Sequence, residues 1–187
     1  RLVNHHVAHA LSAFFCSGFP EANLISLDAS GGYDSGLLGV GRGREIEEFH
    51  RVPNDSSWGV LYGYFTRQLG FRPHSDEGKV MGLAAFGTPQ GEFHFIDFGQ
   101  EVPLIDREGL KRHLSKIPPR DWKAPLDQGH KDLAATLQWN FEKAILQMVA
   151  WLHKKTGLKA VCMGGGCALN CSTNGKVLLE PFVERIF

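Results

Sequence analysis

Two histidines one helical turn apart, and an aspartate that closes the following strand, are the residues of this chain best placed to do chemistry. In Asn4-His5-His6-Val7-Ala8-His9, His5 and His9 stand four positions apart. Asn4 is a good N-cap and Gly18 a good stop, so the segment reads as a helix from Asn4 to about Ser17 with both imidazoles on one side. After Gly18-Phe19-Pro20 an apolar strand begins at Asn23 and ends on Asp28, before Ala29-Ser30-Gly31-Gly32. A carboxylate at a strand end beside a glycine turn sits where ligands commonly dock. Two imidazoles and one carboxylate with positions left open suit a catalytic iron, manganese or zinc ion. The plainer account makes the histidines a half-exposed polar face and Asp28 a turn-forming Asx residue. Spacing alone leaves the two accounts level.

A second candidate lies near the C-terminal end. Lys159–Met163 reads as a buried strand, Gly164-Gly165-Gly166 as a tight turn, Ala168 to Leu179 as a helix and Arg185–Phe187 as a strand. Glycines between a strand and a helix N-terminus let backbone amides approach an anion, where the helix dipole also favours negative charge. The run is neither a Walker A loop nor a dinucleotide fingerprint. Asn170 either hydrogen-bonds a ligand or caps the helix.

The elements that must position these groups follow from patterning. Asn23–Asp28, Ser35–Val40 and Glu45–Val52 form a three-stranded antiparallel meander joined by glycine-rich turns. Ser56 or Ser57 caps a helix through about Leu69, stopped by Gly70. A second helix, about Ser75 to Phe86, carries Gly78 and Gly82, which suggest close approach of a ligand or, equally, of a neighbouring element. Phe93–Phe98 reads as a strand and Asp106 to about Ile117 as a short helix, inside an irregular stretch, 87–129, that reads as an insertion. The helix from about Lys131 to Lys155 has a continuous apolar stripe through Leu137, Phe141, Ile145, Met148 and Leu152, so it belongs to the core.

Meander, helix, strand, helix and strand are the order of an α/β, ribonuclease-H-like subdomain, the half-unit of the actin fold. In that fold glycine hairpins, here Gly31-Gly32, and a glycine-rich β–α turn hold nucleotide phosphates. Residues 1–20 are expected to be a metal-bearing helix of a preceding subdomain, and 21–187 the ribonuclease-H-like unit itself.

Twenty basic residues balance twenty acidic ones, and no basic run stands out, which gives no support to nucleic-acid or membrane-surface binding. No apolar run approaches the roughly 18 residues of a membrane span. Cys162, Cys167 and Cys171 fit no common iron–sulfur spacing, so reduced buried thiols in a cytoplasmic protein are the better account of the cysteines. A chain that starts on Arg1 and stops in a strand reads as truncated at both ends.

Three blocks carry a resemblance. His5-His-Val-Ala-His-Ala-Leu-Ser-Ala-Phe14, Asp76-Glu-Gly-Lys-Val-Met-Gly-Leu-Ala-Ala-Phe-Gly87 and Gly165-Gly-Cys-Ala-Leu-Asn-Cys-Ser-Thr-Asn-Gly-Lys176 resemble the O-carbamoyltransferases of nodulation-factor and antibiotic biosynthesis. That family is in turn similar to the enzyme that makes threonylcarbamoyl-adenosine on tRNA and to a hydrogenase maturation factor. The resemblance implies that carbamoyl phosphate and ATP give carbamoyl-adenylate, from which an actin-like domain moves the carbamoyl group to a small-molecule hydroxyl. It implies a metal, iron first with manganese or zinc as alternatives, on His5, His9 and Asp28. It implies nucleotide contacts from Gly164, Gly165, Gly166 and Asn170, with Asp76 and Glu77 for ribose and Lys79 as a charge partner. Family members often have Asp-Gly where this chain has Asp28-Ala29. They also have a further metal ligand in a later Gly-Asp motif and a separate adenylate-forming domain, both outside this sequence, so the chain alone is expected to be inactive. A non-catalytic actin-like nucleotide-binding module is the reading from another class.

Overall fold

The computed structural model describes residues 3–187. Its centre is the strand β1 (Glu21–Leu27), every residue of which after Glu21 is buried. A strand covered on both faces has no room for the polar alternation of a half-exposed one. β1 pairs antiparallel with β2 (Asp34–Arg42), which pairs antiparallel with β3 (Glu45–Pro53). On its other side β1 pairs in parallel with β6 (Ala160–Gly164), which pairs in parallel with the short β7 (Arg185–Ile186). The sheet order is therefore β3-β2-β1-β6-β7. This mixed α/β sheet is the ribonuclease-H-like half-unit of the actin fold.

The helices cover both faces. α1 (His5–Ser17) lays Ala10, Ala13 and Phe14 on Leu24 of β1, Leu37 of β2 and Cys162 of β6. Residues 1–20 were expected to belong to a preceding subdomain, and the described part of that span packs directly on this sheet. The opposite face carries α2 (Trp58–Gln68), α3 (Glu77–Ala84) and the long α5 (Gln128–Thr156). There Ile25, Leu38 and Val161 meet Trp58, Phe141, Ile145 and Met148. Period-two alternation thus sends Leu24 and Cys162 to α1 and their neighbours Ile25 and Val161 to α5. α5 starts in a capping box between Asp127 and His130 and stops at Gly157 in the left-handed region.

Two expectations are corrected. Phe93–Phe98 contains only the two-residue strand β4 (Ile96–Asp97), paired with β5 (Leu104–Ile105) ahead of α4 (Arg107–Leu114). The Phe93 amide donates to the Asn140 side chain instead of a ladder, and the Phe93 and Phe95 rings stack 4.8 Å apart, both turned inward. The helix expected from Ala168 begins later. Gly166–Leu169 is a turn of 3₁₀ helix, and α6 (Cys171–Leu178) starts after Asn170, whose side chain accepts from the Thr173 amide as N-cap.

Because Phe14 is buried and ties α1 to the sheet, Phe14→Ala should destabilise by about 3–5 kcal/mol in urea melts. Asn4→Ala, which removes only a cap, should cost about 1 kcal/mol.

Candidate metal centre

α1 presents its histidines through a well-defined N-terminus. The Asn4 side chain accepts from the amides of His6 at 3.0 Å and Val7 at 3.2 Å. One turn later, His5 Nε2 and His9 Nε2 lie 3.1 Å apart. Asp28, one residue beyond β1, brings Oδ2 to 3.4 Å from His5 Nε2 and 3.3 Å from His9 Nε2. Among the described residues this is the one grouping of three or more His, Cys, Asp or Glu side chains whose ligand atoms converge.

Close packing makes the convergence possible, and glycine makes the packing possible. A Cβ on Gly31 would stand 2.6 Å from ring atoms of both His5 and His6. One on Gly164 would meet the His9 carbonyl at 2.9 Å, and one on Gly165 the Leu27 carbonyl at 2.3 Å. Gly165 also has φ of 81°, which disfavours any side chain there. The backbone behind Asp28 is clamped as well. Ser57 Oγ donates to the Ala29 carbonyl at 2.7 Å, and a Cβ on Gly59 would strike the Ala29 amide nitrogen at 2.5 Å.

His6, to which the spacing of the histidines assigns no role, is fully buried beside His5 and His9. Its Nε2 donates to the Asp34 carbonyl at 3.0 Å, and Ser26 Oγ donates to its Nδ1 at 3.2 Å. Burial holds its pKa below the ordinary histidine value, so the ring is neutral and ties α1 to the turn that carries Gly31. Asp28 is a balance of opposing effects. Burial pushes its carboxyl up, but hydrogen bonds from the Ala29 amide, His5 and the Gly166 amide, with the charge of His9, outweigh that and hold it below its ordinary value.

The donor set fits an ion. Imidazole nitrogens and carboxylate oxygens bind Zn²⁺ at about 2.1 Å, which puts neighbouring ligand atoms about 3.0 Å apart in an octahedral face and about 3.4 Å apart in a tetrahedral one. The three separations here, 3.1, 3.3 and 3.4 Å, fall in that interval. Cys162, by contrast, faces α1 in the core, and Cys167 and Cys171 lie on the other side of the glycine turn. Burial, with Asp28 nearby, pushes the Cys167 thiol up to about 12, so it stays protonated.

Asp28 also opens onto a cavity of about 450 Å³. Gly166 and Asn170 line it, as do His74 from the turn before α3 and Glu77, the first residue of α3. Of the other residues singled out in the sequence, Gly31 and Gly32 form the turn beside His5, and Gly164 and Gly165 back onto α1 and β1. Asp76 is buried and accepts from Arg72 Nε at 3.2 Å and Lys79 Nζ at 2.9 Å, so both Asp76 and Lys79 are engaged within the turn. Arg72 and Lys79 together hold the Asp76 carboxyl far below the usual carboxylate range.

Behind the cavity runs a polar network hidden in the stripe of α5. Tyr62 Oη donates to Gln138 Oε1 at 2.8 Å, and Asn170 Nδ2 to the same oxygen at 2.9 Å. Gln138 Nε2 donates to Glu142 Oε1 at 2.8 Å, and Glu142 receives Ser172 Oγ and Lys176 Nζ. Burial, with Glu142 close by, holds the Tyr62 phenol well above its ordinary pKa. Nothing in the apolar periodicity of α5 announced Gln138 or Glu142 as buried.

An actin-like half-unit with two histidines and an aspartate converging where its first strand ends is the class that fold and site define. Within it, the chain belongs to the family described as carbamoyltransferase N-terminus, whose profile matches residues 1–98 and 109–187. The chain is 37% identical over 193 residues to the nodulation protein NolNO of Sinorhizobium fredii, covering 99% of this chain and 28% of that protein. It is 36% identical to the nodulation protein NolO of Bradyrhizobium diazoefficiens, covering 99% and 35%. A more distant relative, at 26% over 90% of this chain and 48% of its own length, is the tRNA N6-adenosine threonylcarbamoyltransferase of Dichelobacter nodosus. The chain thus spans well under half the length of the nodulation proteins it matches. Within 87–129 only residues 99–108 fall outside the family match. No helix among the described residues is long and apolar enough to cross a membrane.

Two outcomes are expected of this geometry. His9→Ala should lose most bound transition metal, read by elemental analysis, while its melting temperature without metal stays within a few degrees of wild type, because His9 is a half-exposed rim residue. Asp76, with its folded pKa depressed, contributes stability above its unfolded pKa that is lost as pH falls. Asp76→Asn should therefore melt below wild type at pH 7, and the gap should close as pH drops below about 4.

Proposed function

We propose that this chain is the metal-bearing part of an O-carbamoyltransferase that moves a carbamoyl group from carbamoyl phosphate, through carbamoyl-adenylate, to a hydroxyl of a small molecule. The observation that carries the proposal is the triangle of His5, His9 and Asp28, whose Asp28 lines a cavity that Gly166 of the glycine turn also lines, in a chain of the carbamoyltransferase family. The nodulation proteins at 36–37% identity favour a small-molecule acceptor over the tRNA-modifying relative at 26%. The even balance of charge, which offers no basic surface for tRNA, points the same way.

In this reading His5, His9 and Asp28 hold one divalent ion, iron in the first instance, with manganese or zinc as alternatives. Such an ion supplies Lewis acidity toward the oxygens of the carbamoyl donor. The chain's own groups bind and orient. Gly166 offers backbone amide surface and Asn170, fixed by Gln138 and the α6 cap, a rigid polar wall to the adenylate. Glu77 reaches the cavity and is the candidate for a ribose hydroxyl, whereas Asp76 and Lys79 support the turn that carries it. Gly31, Gly164 and Gly165 act by permitting the close approach of α1, β1 and β6, and Gly32, with φ of 94°, by closing the turn beside them. The adenylate itself is made by a further domain of the same polypeptide.

The test uses the full-length polypeptide with carbamoyl phosphate and ATP. AMP should form in a metal-dependent way, and His5→Ala/His9→Ala should lower its rate by at least about 100-fold, the scale of a lost Lewis acid. Formation of ADP in place of AMP, or undiminished activity in the double variant, would contradict the reading.

A further inference from the structure

The cavity beside Asp28 brings together five titratable side chains: Asp28, Tyr62, His74, Glu77 and Cys167. If a hydroxyl is carbamoylated there, its proton needs an acceptor, and four of the five are committed elsewhere. The Asp28 carboxylate is turned toward His5 and His9. Tyr62 is a buried phenol already donating to Gln138, and the Cys167 thiol stays protonated. Glu77 Oε1 accepts the His74 amide at 2.6 Å, and a carboxylate is a poorer base at neutral pH than an imidazole. The His74 ring nitrogens, by contrast, make no hydrogen bond to any described residue.

The backbone singles out the same residue. His74, with φ of 63°, is the one non-glycine residue at positive φ among those described. Such a conformation persists only where its surroundings enforce it, and it clusters at functional sites. The enforcement here is explicit. Glu77 holds the His74 amide, and buried Asp76 gathers the Arg72 amide at 3.0 Å, the Arg72 guanidinium and the Lys79 ammonium around the turn. His74 is itself exposed, so the buried carboxylate with its three donors fixes a surface turn and with it the place of one imidazole beside the cavity.

We propose that His74 is the proton acceptor for the attacking hydroxyl. The inference rests on the carbamoyl-transfer reading above. As the hydroxyl oxygen bonds to the carbamoyl carbon of the mixed carbamoyl–phosphoric anhydride, its proton passes to the imidazole of His74. The bond from that carbon to the phosphate oxygen breaks, and AMP leaves with the electron pair. Tyr62 and Asn170, locked by Gln138, form a fixed part of the cavity lining.

The test uses His74→Gly in the full-length polypeptide, since glycine keeps the positive φ without strain and removes only the imidazole. Carbamoyl phosphate and ATP are the probes, water serves as the acceptor, and AMP release is compared with ATP–pyrophosphate exchange, which reports donor activation alone. The expected result is a fall of at least about 100-fold in kcat for AMP release relative to exchange, with imidazole in the buffer restoring at least about 10-fold of it. His74→Asn, which also tolerates this backbone, should be equally slow, and thermal melts of both should match wild type. A kcat within threefold of wild type, or a loss that imidazole does not relieve, would overturn the assignment. Wild type that exchanges pyrophosphate but releases no carbamoyl-dependent AMP would overturn the transfer reading and this inference with it.

Discussion

Three atoms with lone pairs, two imidazole nitrogens and a carboxylate oxygen, stand within 3.4 Å of one another at the end of β1. Such atoms repel unless a proton or a cation lies among them, so the fold has to force the arrangement. It does so by bringing backbone against backbone. α1 crosses so low over the sheet that Gly31 has no room for a Cβ against His5, nor Gly164 against the His9 carbonyl. Gly165 lies tighter still against Leu27, the last residue of β1. Any larger residue at these positions would lift α1 or displace Asp28, and the triangle would open. The buried, neutral His6 acts in the same direction by pinning α1 to Ser26 and to the Asp34 carbonyl.

The opposite face of the sheet solves a different problem, that of holding polar groups steady in a cavity wall. A buried amide or carboxylate is costly when alone and specific when every bond is made. Gln138 and Glu142 sit on α5 among apolar neighbours, and between them they engage Tyr62, Asn170, Ser172 and Lys176. The network joins α2, α5 and α6 at one point behind the cavity. Asn170 consequently has its amide group fixed at both ends, the oxygen by the α6 N-terminus and the nitrogen by Gln138.

Much of this was legible in the sequence because it rests on local rules. Asn4 and Gly18 bracketed α1, the four-residue spacing placed His5 and His9 together, and Asp28 followed an apolar run long enough to be a central strand. The succession of a meander and a β–α–β unit marked the ribonuclease-H-like class. What escaped was decided by tertiary contacts. Phe93 to Phe98 alternates like a strand, yet its aromatic rings cluster and Asn140 takes its backbone. Asn170 delayed the start of α6 because its side chain already caps Thr173. His6 could not be told from its neighbours in a run of histidines, and Gln138 and Glu142 sat beside an apolar stripe with nothing in their spacing to mark them as buried. Asp76 and Lys79 belong to a conspicuous motif, but their charges face each other and Arg72 within the turn.

The central claim, that His5, His9 and Asp28 form one ion site, is tested most directly by anomalous diffraction from crystals of the protein grown with ferrous or zinc ion, collected at the metal edge. A single peak about 2.1 Å from both Nε2 atoms and from Asp28 Oδ2 is the result the account predicts. A peak bound to other side chains, or no peak here with the metal present in excess, would contradict it.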